Sequence, residues 1–206
     1  MTTIKSLLED SKLLQEVTVY GWVRTFRSNR FIALNDGSTL QNLQCVVDFE
    51  QLDESTLKRI NTGTAIKVNG ILVESQGSGQ SHEIQVNNIQ VLGDSDPEKY
   101  PIQPKKHSME FLREQAHLRI RTNTFGAVMQ VRSALAFAVH HYFYSRGFYY
   151  FHAPIITGSD AEGAGEMFRV STLSPKSPPL APDGEVDYKE DFFGKETNLT
   201  VSGQLE

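Results

Sequence analysis

The chain has 206 residues, of which 39% are hydrophobic and 22% are charged, so it can bury a core and has an ordinary globular composition. The formal net charge of −5 at pH 7 argues weakly against broad, nonspecific nucleic-acid binding. No run of eighteen apolar residues occurs, and the N-terminus lacks the basic and apolar regions of a signal peptide. The single cysteine, Cys45, excludes an intrachain disulfide. We therefore expect a cytoplasmic protein with no membrane segment.

The first ninety residues predict a small β-barrel. Residues 4–14 carry apolar side chains near helical spacing, and residues 53–60 predict a second short helix. Strand-like runs, separated by turn signals such as Asn35-Asp-Gly37, cover residues 17–24, 30–35, 43–49, 65–74, 82–86 and 89–92. Five or six short strands with one helix among them favour a Greek-key barrel of the OB type, although other small barrels produce the same pattern.

Residues 99–123 have the composition of a basic connector. They contain six Lys or Arg side chains and two Glu side chains, and two prolines favour an extended start. A short helix is predicted over residues 108–117. A basic connector of this kind could follow a phosphate backbone, or it could be a solvated linker; charge alone does not separate the two.

The last third predicts one long helix and two strands. An apolar stripe indicates a helix over residues 124–144, and Gly147 is well placed just after its end. Aromatic residues 148–151 predict a short strand, and residues 174–182, rich in Ser and Pro, predict an exposed loop. The final run, residues 199–206, indicates a buried strand with no turn or cap after it. We therefore expect this third to be the first part of a larger domain.

One stretch of the predicted barrel interleaves aromatic, cationic and amide side chains. It comprises Trp22, Arg24, Phe26, Arg27, Arg30, Phe31 and Gln44. Unpaired bases need flat partners for stacking, donors for their phosphates and amides for their edges, so the mixture suits a single-stranded nucleic acid. The alternative is that Trp22 and one Phe belong to the core while the arginines only solubilise the sheet.

The order of several segments resembles the asparaginyl-tRNA synthetase family, which belongs to class II of the aminoacyl-tRNA synthetases. In the first half the resemblance rests on Gly21-Trp-Val-Arg-Thr-Phe-Arg27, Asn42-Leu-Gln-Cys-Val-Val-Asp48 and His107-Ser-Met-Glu-Phe-Leu-Arg113. In the second half it rests on Glu162-Gly-Ala-Gly-Glu-Met-Phe168, Asp191-Phe-Phe-Gly-Lys-Glu196 and Leu199-Thr-Val-Ser-Gly-Gln-Leu205. The aspartyl and lysyl enzymes share the barrel type, but the second half is more similar to the asparaginyl members.

The resemblance implies three regions. Residues 1–98 would form an all-β OB-fold anticodon-binding domain, and residues 99–123 would form a hinge. Residues 124–206 would form the first part of an α+β class II catalytic domain, with the motif 1 helix and strand and an incomplete antiparallel sheet.

The resemblance also implies roles for residues on the barrel. Phe31 would stack under an anticodon base, Gln44 would hydrogen-bond that base, and Arg27 would contact the same region. Gln85 matches another position of the anticodon-reading kind, although residues 83–86 are equally a plain alternating strand.

In the second half, Arg146, Gly147, Phe148 and Pro154 resemble motif 1, which builds the dimer interface of this class. Glu162 and Gln204 match positions that contact the α-ammonium of the amino acid, and Ser202 would share a strand face with Gln204. Three nearby histidines do not predict a metal site, because adjacent helical residues point about 100° apart.

By family, the intact enzyme would join asparagine to tRNA(Asn), with ATP and Mg²⁺, and would act as a homodimer. No pattern of motif 2 or motif 3 occurs in the chain, so we expect no catalytic residue in it, no tight binding of ATP and no activity of the chain alone. One alternative is a non-catalytic tRNA-binding barrel with a degenerate synthetase remnant. An asparagine-making paralogue is another, but such proteins usually lack the barrel.

Overall fold

The computed structural model describes residues 2–9, 12–48, 50, 53–77, 79–159 and 167–203. It separates into two compact units, Met1–Ala138 and Val139–Glu206, which are described separately below. The predicted domain boundaries at residues 98 and 123 stay a prediction.

The first unit contains a closed barrel of five strands, counted over the described residues. The strands are β1 (Glu16–Arg27), β2 (Phe31–Asn35), β3 (Leu43–Val46), β4 (Ala65–Glu74) and β5 (His82–Gly93). Their order around the barrel is β1-β2-β3-β5-β4, and β3–β5 is the parallel pair among otherwise antiparallel neighbours. Helix α2 (Glu54–Lys58) lies between β3 and β4 in the chain. The predicted OB-type barrel is confirmed.

Alternation of side chains explains the barrel core. Every second residue of the central strands points inward and is buried, as Ile32 and Leu34 are in β2 and Leu43 and Cys45 are in β3. Burial raises the pKa of the Cys45 thiol to about 12.

Helix α1 (Ile4–Glu9) adds Ile4 and Leu7 to the same core. Its first N–H groups bond to the β2–β3 turn, because Ile4 N donates to Asp36 Oδ2 (2.8 Å) and Lys5 N donates to Ser38 Oγ (3.0 Å).

Several predictions for the first unit are wrong in extent, and backbone pairing explains two of them. The helix predicted to residue 14 ends at Glu9; Leu14 is 81% exposed with φ +62°, and its N–H donates to the Leu72 carbonyl at 2.8 Å. The strands predicted at 82–86 and 89–92 form the single strand β5, because β4 pairs with both parts across an irregularity between Asn69 and Gly70.

Helix α3 (Met109–Glu114) is shorter than predicted and begins after Ser108, whose Oγ accepts the N–H of Phe111 at 3.2 Å. A second, small apolar cluster joins Ile102, Leu112 and Phe125. Helix α4 (Asn123–Tyr144) matches its predicted extent within one residue.

The C-terminal end of α4 forms a two-bond capping motif. The N–H of Gly147 donates to the Tyr144 carbonyl (3.1 Å), and the N–H of Phe148 donates to the Phe143 carbonyl (3.2 Å). Gly147 has φ +83°, a conformation that glycine adopts without steric cost. The predicted position of Gly147 just after the helix is confirmed.

The second unit contains a small antiparallel sheet. Its strands are β6 (Ile156–Thr157), β7 (Arg169–Val170) and β8 (Thr197–Leu199), in the order β6-β8-β7. The strand predicted at 148–151 is wrong, because none of these residues forms a β-sheet pairing with another described residue. The strand predicted at 199–206 is also misplaced as far as the described residues show, since β8 starts earlier and ends at Leu199. Residues 204–206 lie outside the described residues. Within the described residues, no helix is both long and apolar enough to cross a membrane.

Candidate functional site

The predicted base-reading residues lie on the outer face of the barrel. Arg27 pairs with Phe31 across β1–β2, Phe31 pairs with Val46 across β2–β3, and Val46 pairs with Gln85 across β3–β5. Paired residues on neighbouring strands point to the same side of a sheet. Arg27, Phe31, Val46 and Gln85 therefore form one transverse row over four strands, roughly 14 Å long at the usual strand spacing.

A tight turn sets the positions of the cations around Phe31. Ser28 and Asn29 both have positive φ (54° and 50°), as in a two-residue hairpin turn, and the N–H of Arg30 donates to the Arg27 carbonyl at 3.0 Å. The guanidinium carbon of Arg30 lies 5.6 Å from the centre of the Phe31 ring. The half-buried ring thus has cationic side chains on the residues before and after the turn.

Gln44 lies one row further along the same face. It pairs with Ala33 of β2 and, in parallel, with Glu83 of β5, and its Nε2 donates to Glu83 Oε2 at 3.1 Å. A groove of about 510 Å³ opens beside it, lined by Arg27, Ala33, Gln44, Gln80 and Ser81 among others. The groove thus combines a cation and amide groups within reach of one occupant.

A second groove, of about 520 Å³, lies at the other end of the row. Its lining includes Arg30, Val46, Gln85 and Asn87. The exposed Gln85 side chain points outward from β5, between the buried Ile84 and Val86. The structure therefore brings Arg27, Phe31, Gln44 and Gln85 onto one continuous face with a groove at each end.

Trp22 and Arg24 do not belong to this face. Arg24 donates hydrogen bonds to the Arg121 carbonyl and to Asn123 Oδ1 (3.2 Å), and burial lowers the pKa of its guanidinium. The Arg121 guanidinium lies 5.2 Å from the Trp22 ring centre. Both side chains contact the segment at the start of α4, so Trp22 lies outside the barrel core and Arg24 does more than solubilise the sheet.

The predicted motif 1 residues cluster around the end of α4. The Arg146 guanidinium lies 3.7 Å from the Tyr142 ring centre and donates to the Tyr142 carbonyl at 3.1 Å. Phe148 contacts Phe143 edge-on at 5.4 Å but remains 59% exposed, and Pro154 is exposed as well. Further aromatic side chains exposed in this unit are Tyr144, Tyr149, Tyr150, Phe151, Phe168 and Phe192.

Of the predicted amino-acid-binding residues, Glu162 and Gln204 lie outside the described residues. Ser202 is described and follows the end of β8. The Thr200 hydroxyl donates to the Ser202 carbonyl (2.6 Å), and the Ser202 N–H donates to Thr200 Oγ1 (3.2 Å). Such local side-chain bonds compete with strand pairing, so the expectation that Ser202 lies on a strand is wrong.

Sequence reasoning missed two buried carboxylates, Glu83 on the barrel and Asp191 in the second unit. Asp191 Oδ1 accepts the Thr172 N–H (2.9 Å), the Thr172 hydroxyl (2.7 Å) and the Phe192 N–H (2.8 Å). These bonds, that of the Thr172 backbone above all, hold the pKa of Asp191 far below its usual value. The sequence carries no signal for either: Asp191 follows the charged residues Lys189 and Glu190, and Glu83 lies in a plain alternating strand.

Comparisons with known proteins match two separate parts of the chain. The profile of the OB-fold nucleic acid binding domain matches residues 17–92, and that of the class II tRNA synthetases (D, K and N) matches residues 108–183. The asparagine–tRNA ligase of Porphyromonas gingivalis is 54% identical over 208 aligned residues, covering 100% of this chain and 44% of the relative. That of Cytophaga hutchinsonii is 56% identical, covering 98% of this chain and 45% of the relative. The chain thus spans less than half the length of these relatives.

Solved structures show the same fold at lower identity. Asparaginyl-tRNA synthetase from Pyrococcus horikoshii, complexed with asparaginyl-adenylate, superposes with a TM-score of 0.73 at 21% identity, over 98% of this chain and 43% of that one. The Entamoeba histolytica enzyme, also with asparaginyl-adenylate, gives 0.70 at 20% identity, over 96% and 42%. From the two profiles, the high identity to its relatives and the closed barrel, we conclude that this chain belongs to the class II aminoacyl-tRNA synthetases and aligns with their asparagine–tRNA ligases.

Proposed function

We propose that the chain is part of an asparagine–tRNA ligase and that its barrel binds the anticodon loop of tRNA(Asn). The row Arg27–Phe31–Val46–Gln85, with Gln44 beside it, is the observation that carries this proposal. An exposed aromatic edge, flanking arginines and outward amides are the groups that hold unstacked bases and their phosphates. The close relatives carry the name of this activity.

In the intact enzyme, the asparagine carboxylate attacks the α-phosphorus of ATP and pyrophosphate leaves. A hydroxyl at the 3′ end of the tRNA then attacks the acyl carbon of the adenylate, and AMP leaves. Glu162, Ser202 and Gln204 are our candidates for holding the asparagine. No group of three His, Cys, Asp or Glu side chains able to hold a metal ion occurs among the described residues.

We also propose that the enzyme is a cytoplasmic homodimer joined near Arg146, Gly147, Phe148 and Pro154. The exposed aromatic side chains next to the end of α4 support this proposal, because a soluble protein rarely leaves a contiguous apolar patch uncovered. Size measurement by analytical ultracentrifugation tests it: a Phe148→Ala variant should dissociate at a higher concentration than the unchanged protein.

Substitution of Phe31 tests the anticodon proposal. Phe31→Ala removes the stacking surface, so we expect the affinity for a fluorescein-labelled anticodon stem-loop of tRNA(Asn) to fall by about 1–3 kcal/mol in anisotropy titrations. Phe192→Ala is the matched control, because it removes an exposed ring from the second unit. If the unchanged chain and the Phe31 variant bind the stem-loop with equal affinity, the anticodon loop does not bind at this face.

A further inference from the structure

The chain contains two Asp-Gly pairs, Asp36-Gly37 and Asp183-Gly184, and the structure places them in different surroundings. Asp36 is half-buried in the β2–β3 turn, whereas Asp183 is exposed in a turn of the second unit. In an Asp-Gly pair the backbone nitrogen of the glycine can attack the carboxyl carbon of the aspartate, because the glycine has no Cβ to shield its nitrogen. Both pairs are therefore chemically able to form a succinimide.

The reaction at Asp36 would change the backbone without changing the mass of the chain. The Gly37 nitrogen loses its proton and bonds to Asp36 Cγ, and one carboxyl oxygen leaves as water. Water then opens the five-membered ring. Attack at the Asp36 α-carbonyl carbon breaks its bond to the Gly37 nitrogen, so the backbone continues through Cβ and Cγ as isoaspartate. The product has one more carbon in the backbone and one fewer in the side chain.

Three hydrogen bonds hold the Asp36 carboxylate in place. Oδ2 accepts the N–H of Ile4 at 2.8 Å, and Oδ1 accepts both the N–H (3.0 Å) and the hydroxyl (2.6 Å) of Ser38. Ring closure requires Cγ to turn toward the Gly37 nitrogen, so these bonds must break first. The Ile4 bond comes from helix α1, which thereby contributes to holding the turn closed.

The attacking nitrogen is held as well. The N–H of Gly37 donates to Asn35 Oδ1 at 2.8 Å. Asn35 is only 6% exposed, and its Nδ2 donates to the carbonyls of Thr39 and Gln41 and to Asn42 Oδ1, at 3.2, 2.9 and 3.1 Å. Since Asn35 cannot move without losing these bonds, the turn can react only after it opens locally.

The turn at Asp183 has less to hold it. Asp183 Oδ1 accepts the N–H of Glu185 at 3.1 Å, and the N–H of Gly184 donates to the Ala181 carbonyl at 2.9 Å. Both contacts lie within the same short, exposed turn, which can open at low cost. The second Asp-Gly pair is thus an internal reference for the first.

We propose that Asp36-Gly37 is a latent isoaspartate site and that helix α1 protects it through the bond from Ile4 to Asp36. Release of α1 frees the carboxylate to react. Isoaspartate in turn displaces the carboxylate, so α1 loses its cap and the two changes reinforce each other. A Cβ at Gly37 would lie 3.3 Å from Trp22 Cη2, so the turn packs against the only tryptophan of the chain and the damage should alter its fluorescence. This chemistry is independent of RNA binding.

The first test compares the two pairs within the full chain, incubated at physiological temperature and neutral pH with and without concentrated urea. Peptide mapping by liquid chromatography and electron-transfer mass spectrometry quantifies isoaspartate at each position. In the folded chain we expect Asp36 to react at least roughly tenfold more slowly than Asp183, whereas in urea the two rates should be similar. If Asp36 keeps pace with Asp183 in the folded chain, the turn is not protected. If Asp36 stays unreactive in urea, it is not a latent site.

The second test separates the contribution of α1. Ile4→Pro removes the N–H at the first helical position, where proline is tolerated, and Ile4→Ala shortens the side chain but keeps the N–H. Isoaspartate at Asp36 should form several-fold faster in Ile4→Pro than in Ile4→Ala, with the rate at Asp183 unchanged. Equal rates at Asp36 in the two variants would overturn the role of the Ile4 bond.

A third variant keeps the test decisive if thermal melts show that Ile4→Pro does not fold. Ser38→Ala removes the hydroxyl that donates to Asp36 Oδ1 and accepts the N–H of Lys5 from α1 at 3.0 Å, and it leaves the barrel core untouched. The rate at Asp36 should again rise several-fold over the unchanged chain, together with a change in Trp22 emission as the product accumulates. An unchanged rate in the folded Ser38 variant would mean that these contacts do not protect the turn.

Discussion

The barrel and the second unit are stabilised in opposite ways. The barrel buries a continuous apolar core that takes side chains from α1 and all of its strands. In the second unit, the buried residues among those described are two polar ones, Asp191 and Thr197, and both are held by hydrogen bonds. Large aromatic side chains remain at its surface, with Tyr149 96% exposed.

The contrast shows which part of this chain can be stable by itself. Apolar burial is the main favourable term in folding, and the barrel has it within its own residues. The second unit relies on turns, capping bonds and a three-stranded sheet, which contribute little after their own entropy cost is subtracted. We infer that further protein surface covers its aromatic side chains in the active assembly.

Truncation of a buried side chain should show the largest difference in stability between the barrel and the second unit. Leu34 is fully buried in the barrel, so Leu34→Ala should lower the free energy of unfolding by about 2–5 kcal/mol through lost burial and a cavity. The same change at Leu180, which is 62% exposed in the second unit, should stay within about 0.5 kcal/mol. Urea denaturation followed by circular dichroism measures both. A comparable loss at Leu180 would mean that the second unit has a core of its own.

A glycine at the irregularity in the β4–β5 pairing tests how closely the barrel is packed. A Cβ at Gly70 would lie 2.1 Å from the Gln85 carbonyl oxygen, and backbone at this distance cannot give way cheaply. We expect Gly70→Ala to destabilise the barrel by about 1–3 kcal/mol in the same urea titrations. Gly79→Ala is less suited as a control, since Gly79 has positive φ. A Cβ at Gly77 would make an ordinary contact, 3.6 Å from Ser75 Oγ, so Gly77→Ala should be close to neutral. Equal stability of the Gly70 and Gly77 variants would contradict the close approach of β4 to β5 at Gly70.

Acid should affect the second unit through Asp191. The folded pKa of Asp191 lies below the unfolded value of 3.8, so its carboxylate contributes full stability above that value. The contribution is lost as the pH falls through the folded pKa. Asp191→Asn should therefore weaken the second unit at pH 7 and make its stability depend less on pH below about 4. Limited proteolysis of residues 139–206 between pH 3 and pH 7 measures this. Substitution of the exposed Asp183 by Asn is the control. If proteolysis depends on pH in the same way in both variants, Asp191 does not stabilise the second unit.

Local sequence patterns predicted single strands and helix ends, but they did not predict which distant residues pair with each other. Strand β4 was predicted with its observed bounds, and the end of α4 at Gly147 followed from a local capping rule. The strand prediction for the aromatic residues 148–151 was wrong because a strand also needs a neighbouring strand to pair with. Ser28 and Asn29 form a left-handed turn without glycine, so the predicted β1 ends three residues before the observed end at Arg27.

The candidate base-reading face shows the same limit. Alternation puts Phe31 and Gln44 on the outside of their strands, which the sequence could indicate. It could not align Gln44 with Glu83, because that register depends on a parallel pairing between residues 39 positions apart. The hydrogen bond between Gln44 and Glu83 therefore follows from the closed barrel and not from the local sequence.

The parallel pairing of β3 with β5 also has a kinetic consequence. Strands β1 to β3 can pair as local hairpins, and so can β4 with β5, but β3–β5 and β1–β4 must close long loops. The face with Phe31, Gln44 and Gln85 spans the long-range pairing between β3 and β5. A nascent or partly folded chain would contain the hairpins without the assembled face, so the proposed RNA binding would require that β3 and β5 have already paired.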